Sequence, residues 1–315
     1  MIGILCSNEN EEGFSVKLHD LFKEIRRGND DAVIVFTILN IDFLDNTVRG
    51  SLISGKEVKA VTVPLPSVIF NFSVQFKATC IKALKLLLDI EGVELVNNVN
   101  RFDQSMIMEI LSVSEATIKY LLPYYVYNEN IDKFEIDEHK QYIEIPLKGT
   151  SIARIIYKKT GSTSDNLMGD CSIEKGHKHG LIKSALFKKR KILIEVPELV
   201  TKEENLVIIR TYVQRTHGKI WGILGDNIFP KDNSNKDIPY EKINEGVLNS
   251  ISYISNFMPA LGECFLDFLL SKDGQIYFLH LGGIGENFFD LEQDKDFYKR
   301  FYKNLLKLNS YLNYM

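Results

Sequence analysis

The segment Glu263–Asn287 constrains the fold of this chain more than any other, because it has the pattern of a buried β-hairpin. An apolar run at Cys264–Leu270 is followed by a polar turn at Ser271–Gly274 and a second apolar run at Ile276–Leu281. A short turn that contains glycine between two apolar runs is typical of a hairpin. The segment therefore predicts two buried antiparallel strands.

One carboxylate interrupts the first apolar run of this hairpin. We expect Leu270 to pair with Gln275 across the turn. That register places Asp267 opposite Phe278 and diagonal to His280. A single ionisable side chain in an apolar strand is costly to bury without a partner. Asp267 therefore either has a structural partner, through local hydrogen bonds or His280, or belongs to a binding site.

Length and composition are those of an ordinary globular protein. With 315 residues, of which 45% are hydrophobic and 25% charged, the chain is long enough for two or three lobes. The net charge of −4 is mixed along the chain, which argues against a nucleic-acid partner. The N-terminus lacks the pattern of a signal peptide, and no uncharged apolar stretch approaches the roughly 20 residues that span a bilayer. Four widely spaced cysteines without a CxxC pair fit a reducing compartment, so we expect a soluble cytoplasmic protein.

The first half of the chain alternates between strand and helix patterns, without the glycine-rich loop of a dinucleotide site. Continuous β-branched runs are typical of strands buried on both faces, and two prolines interrupt the third strand. The predicted elements are strands at Ile2–Cys6, Ala32–Leu39 and Val61–Phe72 and helices at Phe14–Arg27, Val74–Ile90 and Asp103–Leu122.

The second half favours strands, and the charged segment Asn128–Lys140 is expected to link two lobes. Predicted helices lie at Gly180–Arg190, Tyr240–Phe257 and Asp296–Tyr314. Besides the hairpin, the predicted strands are Gln141–Pro146, Ser151–Lys158, Ile192–Pro197, Leu206–Arg215 and Lys219–Gly225.

Two further groups of side chains are candidates from the residues alone. Cys171, His177 and His179 lie close together and could ligate zinc. No fourth ligand is apparent, and the charged, glycine-flanked segment favours a surface loop. Lys158 and Arg210 are stronger candidates, because Arg210 lies on the polar face of a strand whose other face is apolar. That face is either a solvated sheet surface or the wall of an anion-binding cleft.

A family resemblance covers nearly the whole chain. The hairpin, the segment Val63–Phe72, the dipeptide Leu122–Pro123 and the strand Val207–Gln214 resemble the YheC/YheD family of endospore coat-associated proteins. The resemblance implies an α+β, ATP-grasp-like fold. Residues 1–125 would form an N-terminal α/β lobe with connecting helices, and residues 126–315 an ATP-grasp-like region whose two lobes clasp a nucleotide.

The resemblance also implies a nucleotide site for ATP. By alignment, Lys158 and Arg210 meet the phosphates, and Glu195 lies beside the adenine. The segment that corresponds to the glycine-rich phosphate loop, Gly161–Asn166, lacks the later glycines of the family. A backbone cradle for phosphate depends on such glycines.

The resemblance places a metal site on the last hairpin. There the family uses an Asp, a Glu and an Asn to hold Mg²⁺ against the nucleotide phosphates. The corresponding residues of this chain are Asp267, His280 and Gly282, so Asp267 and His280 are the candidate metal ligands. Magnesium requires hard oxygen ligands, which a histidine and a glycine do not supply.

Other polar positions of the family are replaced as well. Ser67, Phe72, Gln104 and Asn227 stand where the family has Asp, Arg, Lys and Arg. Together these losses predict a pseudoenzyme without catalytic residues, a structural or interaction component with spore-coat proteins as partners, cytoplasmic or associated with the spore surface. The alternatives are an active ATP-dependent carboxylate–amine ligase, which forms a C–N bond through an acyl phosphate, and a module that binds ATP without hydrolysis.

Overall fold

The computed structural model describes residues 1–7, 11–23, 25, 32–54, 57–74, 77–128, 141–147, 155–157, 190–197, 207–229, 238–291 and 293–314. Four of the residues singled out above lie outside this part of the chain: Lys158, Cys171, His177 and His179. So do the loop Gly161–Asn166 and most of the predicted helix Gly180–Arg190, of the strand Ser151–Lys158 and of the link Asn128–Lys140. The last residue of that predicted helix, Arg190, begins a strand instead.

The N-terminal part of the chain forms a seven-stranded sheet. Its strands are β1 (Ile2–Cys6), β2 (Val33–Thr37), β3 (Ile41–Asp42), β4 (Thr47–Ser54), β5 (Glu57–Pro64), β6 (Val68–Asn71) and β7 (Glu94–Val96). They lie in the order β3-β4-β2-β1-β6-β7 with β5 beside β4, and β2, β1, β6 and β7 run parallel. β1, β2 and β6 are buried along their whole length, as their continuous apolar runs predict. The helices α1 (Glu11–Phe22) and α2 (Ala78–Leu88) pack into separate hydrophobic clusters of this sheet.

A second, four-stranded sheet follows in the middle of the chain. It contains β8 (Tyr124–Asn128), β9 (Gln141–Pro146), β10 (Ile155–Tyr157) and β11 (Arg190–Val196) in the antiparallel order β10-β9-β11-β8. Isoleucines alternate along β9 and β11, and they share a hydrophobic cluster with residues of the helix α3 (Gln104–Ser112), which the short helix α4 (Glu115–Ile118) follows.

The third sheet carries the predicted hairpin. Its strands β12 (Val207–His217), β13 (Ile220–Phe229), β14 (Glu263–Leu270) and β15 (Ile276–Gly283) lie in the antiparallel order β13-β12-β14-β15. One face packs on α5 (Tyr240–Ile254) and the central sheet, and the other on α6 (Lys295–Asn313). The turn between β12 and β13 uses Gly218 with a positive φ of 53°, a conformation that suits glycine.

Rings from three parts of the chain cover the α6 side of the third sheet. This aromatic cluster consists of Phe72, Tyr212, Phe265, Phe288, Phe289, Phe297 and Phe301. Its ring centroids lie 5.1–5.9 Å apart in tilted and edge-on pairs, which are favourable geometries for aromatic contacts. The cluster therefore joins the N-terminal sheet, the third sheet and α6 into one packed core.

The prediction of a single helix over Asp103–Leu122 is wrong. α3 ends at Ser112, and α4 begins after Ser114, whose backbone is extended. The hydroxyl of Thr117 donates a hydrogen bond of 2.6 Å to the carbonyl oxygen of Leu111, which joins the two helices across the break. Serine favours the start of a new helix over the interior of a long one, and that preference decides this segment.

The clasp of two sheets, which the sequence predicts over about Tyr142–Leu281, is confirmed: Asp267 lies on a strand and adjoins Arg210 in the third sheet. The division of the chain at residues 125 and 126 stays a prediction. Among the described residues, no helix is both long and apolar enough to cross a membrane.

Candidate functional site

The hairpin is present, but its predicted register is wrong. Leu270 pairs with Ile276 rather than with Gln275, and a bulge then shifts the pairing so that Asp267 lies directly opposite His280. Gln275 belongs to the turn, where its carbonyl oxygen accepts a hydrogen bond of 2.9 Å from the amide of Ser271. The bulge brings the carboxylate and the imidazole onto the same face of the sheet.

The main partner of Asp267 lies on the other neighbouring strand. Arg210 on β12 is the cross-strand partner of Asp267 on β14. Arg210 donates from Nε to Oδ1 over 2.8 Å and from Nη2 to Oδ2 over 3.0 Å. His280 Nδ1 lies 3.5 Å from Oδ2. The three predicted site residues on this sheet are thus brought together, and a two-bond arginine–carboxylate pair forms their centre.

This pair is buried and ionised. The Asp267 and His280 residues are fully buried, and Arg210 is 7% exposed. Burial by itself raises the pKa of Asp267, but the charge of Arg210 and the hydrogen bonds from Arg210 and His280 together outweigh burial and hold that pKa below its ordinary value. Burial likewise lowers the pKa of Arg210, and Asp267 reverses the shift and raises it. The two charges therefore neutralise each other inside the protein.

Phe265 closes the site from the Gly282 side. The ring of Phe265 lies under the Arg210 guanidinium, with 3.6 Å between Cζ and the ring centroid, a cation–π contact. Phe265 is also the cross-strand partner of Gly282. A Cβ atom at position 282 would run into the Phe265 ring. The place where the resemblance to the YheC/YheD family would put an asparagine is therefore filled by an aromatic side chain.

The residues present do not fit a magnesium ion. Of the three positions that the resemblance assigns to the metal, only Asp267 supplies oxygen ligands, and both of its oxygens accept hydrogen bonds from Arg210. Within the described ranges, no group of three or more His, Cys, Asp or Glu side chains could hold a metal ion. Magnesium binding at this hairpin would first require Arg210 to leave.

Gln104, at a position where the resemblance expects a lysine, has a structural contact. Gln104 is fully buried, and its Nε2 donates to the carbonyl oxygen of Leu281 over 2.8 Å. The amide of Leu281 donates back to Gln104 Oε1 over 3.0 Å. Because β15 is the outer strand of its sheet, this pair of bonds satisfies an edge that would otherwise lack backbone partners.

The other replaced positions also have packing or hydrogen-bonding roles. Phe72 is fully buried between Phe289 and Phe301, with centroid distances of 5.3 and 5.9 Å. Asn227 Oδ1 accepts a hydrogen bond of 2.6 Å from Gln293. Ser67 donates to Asn313 on α6 over 2.6 Å. Each replacement therefore contributes a contact to the fold.

Glu195, the predicted adenine-side residue, lies on the central sheet. It pairs with Tyr142 across β11 and β9, and its Oε2 accepts a hydrogen bond of 3.4 Å from the hydroxyl of Tyr125. Arg210 lies on the third sheet, so these two candidates are on different sheets of the clasp. The third nucleotide candidate, Lys158, is outside the described residues.

Sequence reasoning missed the bond between Arg210 and Asp267, although a signal was present. Each is the one charged residue within an apolar run of its strand, and the two charges are opposite. Buried charges are rarely left unpaired, so strands with complementary lone charges are candidates to be neighbours.

No protein-family model and no curated protein matches the chain. Solved structures match over nearly its whole length. D-alanyl-alanine synthetase A of Vibrio cholerae is 13% identical, with 98% of each chain covered and a TM-score of 0.53. The D-alanine–D-alanine ligase of Helicobacter pylori is 11% identical with the same coverage and TM-score. The ATP-grasp ligase PsnB, solved with minimal precursor, Mg and ADP, is 10% identical over 97% of this chain and 98% of its own, with a TM-score of 0.50.

The chain has an ATP-grasp-like α+β fold. At these identities the likeness concerns the fold alone, so the activity has to be argued from the residues of this site.

Proposed function

We propose that this chain is a catalytically degenerate ATP-grasp-like protein that serves as a structural or interaction component. The observation that carries the proposal is the buried two-bond pair between Arg210 and Asp267. The residue expected to bind metal and the residue expected to bind phosphate neutralise each other. Neither is available to a ligand while the pair is intact.

Opening the pair would be energetically expensive. An ATP-grasp reaction uses metal ions to offset the charge of the transferring phosphoryl group. If Asp267 turned to a metal, Arg210 would remain as a buried cation beside it. Removing one partner of a buried ion pair typically costs about 3–5 kcal/mol. The ligand would have to supply that free energy in addition to its own desolvation.

The replaced positions support the same proposal. Phe72 and Gln104 are fully buried in contacts that hold the fold together, and Phe265 fills the space beside Gly282. One lost ligand can be compensated by a neighbour. A set of losses, each converted into a packing or hydrogen-bonding contact, is better explained by selection for the fold than for catalysis.

The resemblance to the YheC/YheD family suggests the biological setting. We propose an association with the spore coat, in the cytoplasm or at the spore surface, with coat proteins as partners. Localisation of a fluorescent fusion during sporulation tests this part of the proposal. A signal that stays diffuse throughout sporulation would refute the coat association and leave the degenerate site to be judged separately.

The structural neighbours favour one alternative, an active ATP-dependent carboxylate–amine ligase, because those that match are ligases. A module that binds ATP without hydrolysis is the third candidate. In both alternatives Lys158 and Arg210 would meet the phosphates, and Glu195 would lie beside the adenine. Each charge-assisted contact would then contribute about 1.5–3 kcal/mol to ATP binding.

Calorimetric titration with ATP, with and without magnesium, separates the three candidates. If the protein is catalytically degenerate, we expect no magnesium-dependent heat of ATP binding. Binding that is independent of magnesium and weakened by Lys158→Gln would indicate the nucleotide-binding module. Magnesium-dependent binding that is lost in Asp267→Asn, together with ADP formation, would indicate the ligase and overturn the proposal.

A further inference from the structure

A cleft of about 470 Å³ opens where the N-terminal sheet, the β12–β13 turn and the C-terminal end of α6 meet. Two cations line it, Arg215 and Lys219, both close to the β12–β13 turn. Glu94 and the α6 residues Tyr311 and Leu312 also line it. The cleft thus combines positive charge with apolar and aromatic surface.

Neither cation forms an ion pair with a carboxylate in the part of the chain that the structure describes. Arg215 donates from Nη1 to the carbonyl oxygen of Pro259 over 2.6 Å, and its buried Nε has no acceptor among the described residues. Lys219 donates to the side-chain oxygen of Asn256 over 2.9 Å. These neutral oxygens accept hydrogen bonds without cancelling the charges.

The acid behind Arg215 does not supply the missing charge. Glu263 is fully buried, and within the described chain neither of its carboxylate oxygens has a hydrogen-bond partner. Its cross-strand neighbour, Gln214, is also buried without a side-chain partner there. Burial raises the pKa of Glu263 to about 8, so this carboxyl group is mostly neutral at pH 7. Glu263 and Glu94 act on the charge of Arg215 from a distance, but no carboxylate of the described residues forms an ion pair with it.

We propose that this cleft binds a short acidic peptide segment of a partner protein, with Arg215 and Lys219 contacting its carboxylates. The segment supplies carboxylates in direct contact with the two cations, a contact that no carboxylate of the described residues makes. The cleft is a different place from the candidate nucleotide site, because Arg210 is buried in the third sheet, whereas Arg215 lines the open cleft. Binding of an acidic segment at this cleft does not depend on whether the chain turns over ATP.

A peptide suits the cleft better than a bare ion does. Pockets of about 300–1,000 Å³ hold ligands with a sizeable body as well as polar groups. Pro259, Tyr311 and Leu312 offer contact surface that phosphate or acetate would leave unused. Gly218, which has no side chain, leaves room beside the Tyr311 hydroxyl. An acidic segment flanked by apolar residues matches both kinds of surface.

The proposal is tested with a fluorescent hexapeptide that contains two glutamates flanked by leucines, using the full-length protein and fluorescence anisotropy. We expect saturable binding that weakens as salt is added and that is lost when the glutamates are glutamines. Arg215→Gln should weaken binding by about tenfold, and exposed Lys219→Gln by about threefold. Lys299→Gln, which removes a charge from an exposed ion pair elsewhere, should leave it unchanged.

A variant that is expected to strengthen peptide binding, rather than weaken it, makes the test specific. Glu94→Gln removes the one acidic side chain that lines the cleft among the described residues, so it should strengthen peptide binding by about twofold to threefold. A merely structural disturbance would not strengthen binding. If Arg215→Gln fails to fold, the opposed effects of Lys219→Gln and Glu94→Gln still decide the matter. Equal binding of the glutamine peptide, displacement of the peptide by equimolar inorganic phosphate, or no saturable binding would overturn the proposal.

Discussion

Strand β12 carries two arginines in contrasting surroundings. Arg210 is buried, makes two hydrogen bonds to Asp267 and lies over the ring of Phe265. Arg215 lines an open cleft, and the acceptor it has is the main-chain oxygen of Pro259. One guanidinium is neutralised within the fold, and the other is not neutralised by the residues that the structure describes.

The difference shows how one fold can lose a ligand site and keep another. A charge that has an internal partner strengthens the core and is unavailable to ligands. A charge without such a partner remains available to an external anion. Accordingly, substitutions at Arg210 or Asp267 should change stability, whereas substitutions at Arg215 should chiefly change binding.

The largest expected effect is that of Asp267→Asn. It leaves the buried Arg210 without its counter-charge, so the free energy of unfolding should fall by about 3–5 kcal/mol. Urea unfolding followed by circular dichroism measures the change. Asp296→Asn, which breaks an exposed ion pair with Lys299, is the matched control and should have little effect. Similar losses in the two variants would contradict the account.

Replacing both members of the buried pair sharpens this result. Arg210→Met combined with Asp267→Leu removes the two charges together and keeps comparable volume, so the double variant should recover most of the stability lost in Asp267→Asn. A double variant as unstable as the single one would show that the two residues act through other contacts than their mutual charge.

The second expected effect is a pH dependence caused by Glu263. Its pKa is about 8 in the folded protein against 4.5 as a reference. Between these values the folded state holds a proton that the unfolded state has released, so stability should fall as pH rises. The slope is at most about 1.4 kcal/mol per pH unit. Glu263→Gln should flatten this dependence and stabilise the protein at pH 8, as measured by urea unfolding from pH 5 to 8. An unchanged slope in the variant would mean that Glu263 is ionised beside Arg215.

A smaller loss is expected for Gln104→Leu. The substitution keeps a similar size but removes the hydrogen-bond partners of the Leu281 amide and carbonyl on the edge of β15. A buried backbone group without a partner costs about 1–3 kcal/mol. Gln104→Glu is the informative comparison, because it retains an acceptor for the amide and loses the donor for the carbonyl. Full stability in the leucine variant would show that the edge is satisfied by other groups.

The fold could be predicted further from the sequence than the site could. Apolar runs located all four strands of the third sheet, because the pattern of apolar residues follows burial. In the other two sheets β3, β4, β7 and β8 were not predicted, and the predicted strand Val61–Phe72 forms parts of two strands, β5 and β6. The predicted hairpin register failed at two points. Leu270 pairs with Ile276 rather than with Gln275, and the bulge near Asp267 adds a further residue without a sequence signal of its own. The segment Asp103–Leu122 was also predicted as a single helix, although a new helix begins after Ser114.

The site depended on a long-range pairing. Arg210 and Asp267 are far apart in sequence, and only the sheet order makes them neighbours. The resemblance to the YheC/YheD family assigned them separate ligand roles, since a position-by-position comparison treats each residue alone. The contact between the Phe265 ring and position 282 was missed for the same reason, because the two residues meet only when strands β14 and β15 pair.

Restoring the metal ligands alone should not restore magnesium-dependent ATP binding. The double substitution His280→Glu with Gly282→Asn would supply the metal ligands that the resemblance to the YheC/YheD family implies. The asparagine Cβ, however, would meet the Phe265 ring. We therefore expect no gain in magnesium-dependent ATP binding from these two changes, and a gain only when Phe265→Ala is added. A gain in the double variant would show that the ring moves aside easily and that the site is less closed than its packing indicates.

The central claim is that the closed Arg210–Asp267 pair leaves this chain unable to turn over ATP. Its most direct test is ADP release by the purified protein with magnesium, manganese or zinc, compared between the wild type and Asp267→Asn. The account predicts no sustained release above the rate of the Asp267→Asn variant with any of the three metals. Sustained ADP release by the wild type that Asp267→Asn abolishes would contradict it.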